Sequence, residues 1–210
     1  MLLTNDIAKS LVEVLGRHIT IPDSFTEIED SAFTNLIIRS VIIPDSVISI
    51  GDGTFSNTGL KRVDLGEGVT SIGDTVFRNT NLTSIIIPES VTSIGRQAFE
   101  GTNLKSIVIP DSVTSIGSYA FAGTYYGHTP FESVDLGEGV TSIGDYAFYE
   151  TDLTSIVIPD SVTSIGRYAF SADYYNGSSL ESVDLGEGVT SIGDYAFAYA
   201  NLTSIVIPDS

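Results

Sequence analysis

Residues 153–166 read "LTSIVIPDSVTSIG", and the fold follows from the fact that this phrase recurs. Residues 104–117 read "LKSIVIPDSVTSIG", and residues 202–210 read "LTSIVIPDS". The residue that closes each strand phrase marks the period. Pro22, Pro44, Gly66, Pro88 and Pro110 fall 22 apart; Gly137 follows after 27, Pro159 after 22, Gly186 after 27 and Pro208 after 22. The chain therefore holds eight full coils and the start of a ninth. Residues 109–157 recur as 158–206 with 13 differences, a second 49-residue unit. A fixed period of this size is the mark of a stacked repeat.

One coil, Leu153–Phe170, shows why stacking is needed. In "LTSIVI", Ile156 and Ile158 alternate with Ser155 and Val157, the two-residue period of a strand. Pro159 has no backbone donor and closes the pairing. "PDS" turns the chain, and "VTSIG" is a second short alternation that ends at Gly166. "RYAF" is too short for a lasting helix and suits one helical or 3₁₀ turn. A single coil cannot bury its own apolar side chains, but neighbouring coils can cover one another. Equivalent strands then pair in parallel about 4.8 Å apart, and eight coils make a rod of about 40 Å. One Phe per coil (Phe33, Phe55, Phe77, Phe99, Phe121, Phe148, Phe170 and Phe197) is expected to form an internal ladder.

The strand phrase contains L-x-x-I-x-I, the signature of leucine-rich repeats. Its continuation "IPDSVTSIGRYAF", alternating with "LGEGVTSIGDYAF", resembles the BspA-type leucine-rich repeats of bacterial surface antigens and of some protist surface proteins. The resemblance spans about residues 20–210. It implies a curved, mostly β solenoid with parallel strands on the concave side and a short strand and turn opposite. It also implies a non-enzymatic molecule at the cell surface or secreted, with adhesion to host or matrix proteins among the family's activities.

Residues 1–19 are expected to form an amphipathic capping segment before the solenoid of 20–210. Asn5 or Asp6 can cap its helix. Ile7, Leu11, Val12 and Leu15 give it an apolar face, and Gly16 can end it. "MLLTNDIAKSLVEVLGRHI" has no basic leader and is not a secretory signal as written. The C-terminal end reads as an open coil in a fragment of a longer array, able to associate end to end.

Composition bounds the chemistry. The chain carries 27 acidic and 9 basic residues, a formal charge of −18, which disfavours nucleic acid and anionic membranes as partners. No apolar run is long enough to insert in a membrane. There is no Cys, and His18 and His128 stand far apart. No nucleophile–base set or cofactor motif appears, so neither catalysis nor a cofactor is expected. Asp23, Asp45, Glu67, Glu89, Asp111, Glu138, Asp160, Glu187 and Asp209 follow the strand-ending Pro or Gly. One carboxylate per coil is a poor calcium cage, and Asp and Ser are expected to cap local amides there. Asp145, Arg167 and Asp194 are expected to pair as surface ions. The concave row alternates Val108, Asp135, Val157, Asp184 and Val206 beside serines.

Two insertions, "TYYGHTP" (124–130) and "DYYNGSS" (173–179), break the period and are expected to protrude from one edge. Tyr125, Tyr126, His128, Tyr174, Tyr175 and Asn176 are the candidate contact residues, since exposed tyrosine offers contact area and a hydroxyl. Tyr119, Tyr146, Tyr168 and Tyr195 extend that surface. The expected function is a protein-binding scaffold using this edge or the concave face. The alternative is a carbohydrate-binding surface through the paired tyrosines.

Overall fold

Alternation in the strand phrase sends its middle residue inward and its neighbours out. Ile19, Val41, Val63, Ile107, Ile156 and Val183 are accordingly buried. A computed structural model describes residues 1–123, 129–173 and 177–207. The chain winds as a solenoid with three hydrogen-bonded sides.

The first side carries the strands His18–Thr20, Ser40–Ile42, Arg62–Asp64, Ser106–Val108, Ser133–Asp135, Ser155–Val157, Ser182–Asp184 and Ser204–Val206. Within 18–64, within 106–135 and within 155–206, neighbours pair in parallel, with each residue opposite its counterpart one coil on. The second side carries Leu2–Leu3, Glu27–Ile28, Ser49–Ile50, Ser93–Ile94, Ser115–Ile116, Ser142–Ile143, Ser164–Ile165 and Ser191–Ile192. Five of these form one parallel sheet, and Ile72 bridges to Ile94.

The third side, where a helical or 3₁₀ turn was expected, is a ladder of turns. The residue two before each Phe has a positive φ: Ser31, Gly53, Thr75, Gln97, Tyr119, Tyr146, Tyr168 and Tyr195 all lie between 55° and 63°. This left-handed kink stops a helix from propagating. Alternate amides then point to the next coil. Tyr146, Phe148 and Glu150 N–H groups donate to Arg167, Ala169 and Ser171 carbonyls at 2.8, 2.8 and 3.1 Å. The Phe rings stack inside this side with centroids 5.2–5.7 Å apart. Phe131, at the position where six other coils have Leu, is also buried and joins the ladder 5.3 Å from Phe121.

The coils are coupled in twos. A Pro-Asp-Ser turn is followed by a Gly-Glu-Gly turn at Pro44/Gly66, Pro110/Gly137 and Pro159/Gly186. The glycines are needed for this nesting: a Cβ on Gly68, Gly139 or Gly188 would lie 2.0, 1.8 or 1.9 Å from the Asp carbonyl oxygen of the coil below. Asp45, Asp111 and Asp160 Oδ1 each accept the N–H of the Glu above at 2.9 Å. The expected local capping is thus replaced by capping between coils, because a neighbouring turn, not the residue's own, presents the free amide. The serines behave likewise: Ser112 and Ser161 hydroxyls donate to Val91 and Val140 carbonyls at 2.7 Å.

The helix Asn5–Leu15 forms where the sequence placed it, and Gly16 (φ 76°) ends it. Its capping differs from expectation. Thr4 is the N-cap and makes no side-chain cap bond. Asn5 is instead held by the first coil: its N–H donates to Glu29 Oε2 at 3.0 Å and its Nδ2 to Ala32 O at 2.8 Å. Ile7, Leu11 and Val12 pack on the core, whereas Leu15 is exposed because it lies past the contact. Among the described residues no helix is long and apolar enough to cross a membrane.

Candidate functional site

The outward side chains of the strand side line up in one row along the rod. Ile42, Ile86, Val108, Val157 and Val206 stand in it at 47, 86, 65, 66 and 56% exposure. Asp64, Asp135 and Asp184 alternate with them, Val108 opposite Asp135 and Val157 opposite Asp184. Aliphatic side chains this exposed are not holding the coil together; the buried middle residues of each strand do that.

The row is interrupted. Ser155–Val157, Ser182–Asp184 and Ser204–Val206 form one sheet, but the pairing does not run the length of the rod. Among the described residues, Arg62–Asp64, bonded to Ser40–Ile42, has no strand partner beyond it, nor does Ser133–Asp135 beyond Ser106–Val108. Among the described residues, no backbone N–H from Thr83 to Ile87 donates to another coil. Two grooves flank this unpaired segment. One, of about 590 Å³, is lined by Arg62, Asp64, Ile86 and Pro88. The other, of about 680 Å³, is lined by Ile86, Glu89, Val108 and Asp135.

The repeat itself is recognisable. The BspA type leucine rich repeat region, in six copies, matches residues 15–127 and 123–210. The chain belongs to the BspA-type leucine-rich repeat family. No curated protein matches it. The solenoid is similar to the crystal structure of a T. pallidum leucine-rich repeat protein at 24% identity and a TM-score of 0.57, over 84% of this chain and 73% of that one. It is also similar to a leucine-rich cell surface protein from Faecalibacterium prausnitzii A2-165, at 23% identity and a TM-score of 0.50, over 91% of this chain and 69% of that one. Both likenesses support the fold. Leucine-rich repeats of this kind are protein-interaction scaffolds and are typically not enzymes.

In this BspA-type solenoid the paired tyrosines Tyr125, Tyr126, Tyr174 and Tyr175, with His128 and Asn176, lie outside the described residues. The stems of both insertions are described, and they meet on Glu150. Thr129 N–H donates to Glu150 O at 3.2 Å, and Glu150 N–H donates to Ser171 O at 3.1 Å. The buried Glu150 carboxylate also accepts the Asp173 N–H. Tyr149 donates its hydroxyl to Glu150, and its pKa is pushed up to about 12, first by burial, then by the charges of Glu150 and Asp173. Sequence reasoning missed Glu150. The cue was its place two residues after Phe148, where the five preceding coils carry Asn or Gly.

Beside it runs a second aromatic ladder. Tyr119, Tyr146, Tyr168 and Tyr195 stack with centroids 4.6, 4.9 and 5.0 Å apart. Within the stack, Tyr146 and Tyr168 turn their faces toward neighbouring rings, while Tyr195 at its end is exposed. Burial, with Tyr146 alongside, raises the pKa of Tyr119. The expected Asp145–Arg167–Asp194 ion pairs do not form. Asp145 Oδ1 accepts the Arg167 N–H at 2.7 Å, and the guanidinium lies over the Tyr168 ring at 4.8 Å. An adjacent ring offers the cation a surface, while the carboxylate is already engaged by the backbone. Among the described residues no three His, Asp or Glu side chains converge as metal ligands.

Proposed function

We propose that this chain is a non-enzymatic scaffold that binds a protein partner across the strand side, in the manner of an adhesive leucine-rich repeat. The observation that carries this reading is the exposed row Ile42, Ile86, Val108 and Val157, bounded by Asp64, Asp135 and Asp184. Exposed aliphatics rimmed by polar residues mark interaction surfaces. The unpaired segment Ser84–Ile86 adds free backbone amides beside two grooves, which suits an extended protein segment. The insertion tyrosines Tyr125, Tyr126, Tyr174 and Tyr175, with His128 and Asn176, are the second contact region of this proposal. Their support is that both stems rest on Glu150 and so share one edge.

The test is a matrix-protein array and a glycan array, both probed with the full chain and with an Ile86→Asp, Val108→Asp, Val157→Asp variant. A protein signal lost in the variant is the expected result. Protein binding that survives in the variant removes the strand side as the interface. Binding confined to glycans replaces the reading with the carbohydrate alternative.

A further inference from the structure

The basic residues are segregated. Eight of the nine lysines and arginines lie in residues 1–105, and Arg167 is the ninth. Arg17, Arg39 and Lys61 occupy the same position, just before the strand, in three successive coils. The backbone fixes their register: Arg39 N–H donates to Arg17 O at 2.7 Å and Lys61 N–H to Arg39 O at 2.8 Å. The adjoining row is His18, Ser40 and Arg62, also in register. Arg17, His18, Arg39, Lys61 and Arg62 are all exposed.

These cations are uncompensated. Among the described residues, no carboxylate lies within ion-pair distance of Arg17, Arg39, Lys61 or Arg62, whereas Arg78 meets Glu100 at 2.6 Å and Lys105 meets Glu132 at 3.5 Å. The flanking row is Leu15, Ile37 and Gly59, without charge, and Asp64 is the one acidic residue on the first-side strands of these coils. Further along the rod the same rows carry Glu132, Asp135, Asp152, Glu181 and Asp184. Coils lie about 4.8 Å apart, so each stacked pair of cations repels by about 1 kcal/mol in water. An anion array with a matching repeat relieves that repulsion along the whole stripe.

We propose that Arg17, Arg39, Lys61 and Arg62 form a binding stripe for a linear anionic glycan carrying sulfate or carboxylate on successive sugar residues. One cation per coil along the rod axis suits a polymer with one charge per residue. The stripe has no exposed Phe, Tyr or Trp ring, and His18 alone does not make the run of stacking platforms that single strands use. A charge of −18 disfavours duplex phosphate at long range. For a ligand lying on the stripe, however, screening over about 8 Å at physiological salt leaves the local cations in control.

Titration calorimetry of the full chain with dextran sulfate, unsulfated dextran and poly-glutamate tests this. Wild type binds dextran sulfate in a salt-dependent manner and does not bind dextran. The Arg17→Ser, Arg39→Ser, Lys61→Ser variant loses roughly tenfold or more in affinity, a loss of about 1.4 kcal/mol. A Lys9→Ser, Arg96→Ser, Arg167→Ser variant has the same net charge and binds as wild type does. Circular dichroism melts of both variants match wild type, because the altered side chains are exposed; if the triple variant melts early, Arg39→Ser alone carries a smaller, graded loss. Equal losses in both triple variants, no binding by wild type, or poly-glutamate bound as tightly as dextran sulfate overturns the proposal.

Discussion

Phe148 is buried between Phe121 and Phe170, at centroid distances of 5.3 and 5.2 Å. Truncating it removes both the transfer term and the stacking, so Phe148→Ala is expected to cost about 3–5 kcal/mol in urea melts. A loss below about 1 kcal/mol would mean the ring is not core. Gly139→Ala probes a different constraint. The new Cβ meets Asp111 O at 1.8 Å, and backbone cannot move aside as a flexible side chain can. Overpacking of this kind costs about 1–3 kcal/mol, and the same urea melts read it. Tyr149 gives a pH signature. Its folded pKa, about 12, lies above the ordinary value of 10.0. The contribution is therefore fully present below pH 10 and is lost as pH rises toward 12. Melts across that window should fall more steeply for wild type than for Tyr149→Phe.

At the scale of elements, the interrupted strand pairing predicts uneven protection. Ser133–Asp135 is paired, whereas the amides of Thr83 to Ile87 donate to no other coil. Hydrogen exchange should therefore release Ser84–Ile86 well before Ser133–Asp135; equal protection would show that the row is continuous in solution. The N-terminal helix was legible from the spacing of Ile7, Leu11 and Val12. Its capping was not, because Glu29 reaches Asn5 from a coil 24 residues away. The strand Leu2–Leu3, which pairs with Glu27–Ile28, was hidden for the same reason: two residues show no period, and only the neighbouring edge makes them a strand.

At the scale of the whole molecule, stacking leaves the last described coil uncovered. Ile192, Ile205 and Ile207 are 47, 43 and 69% exposed, while Ile143 and Ile156, at the positions of the first two one coil-couple earlier, are buried. For the 210-residue chain taken by itself, we propose concentration-dependent association through this surface, to be read by sedimentation velocity at rising concentration. A strict monomer throughout would count against it, as would association unaffected by Ile205→Lys.

Sequence alone determined the solenoid, its period, the inward Phe and the family. Each follows from which side chains alternate, and alternation is written along the chain. Tertiary structure decided what the alternation leaves open: that Asp111 and Asp145 accept amides from the next coil, that Glu150 joins two insertion stems, and that a stripe of cations stands without acids. Those facts depend on what lies 21 to 27 residues away across a coil boundary. Local chemistry cannot name the donor or the missing carboxylate until the coils are stacked.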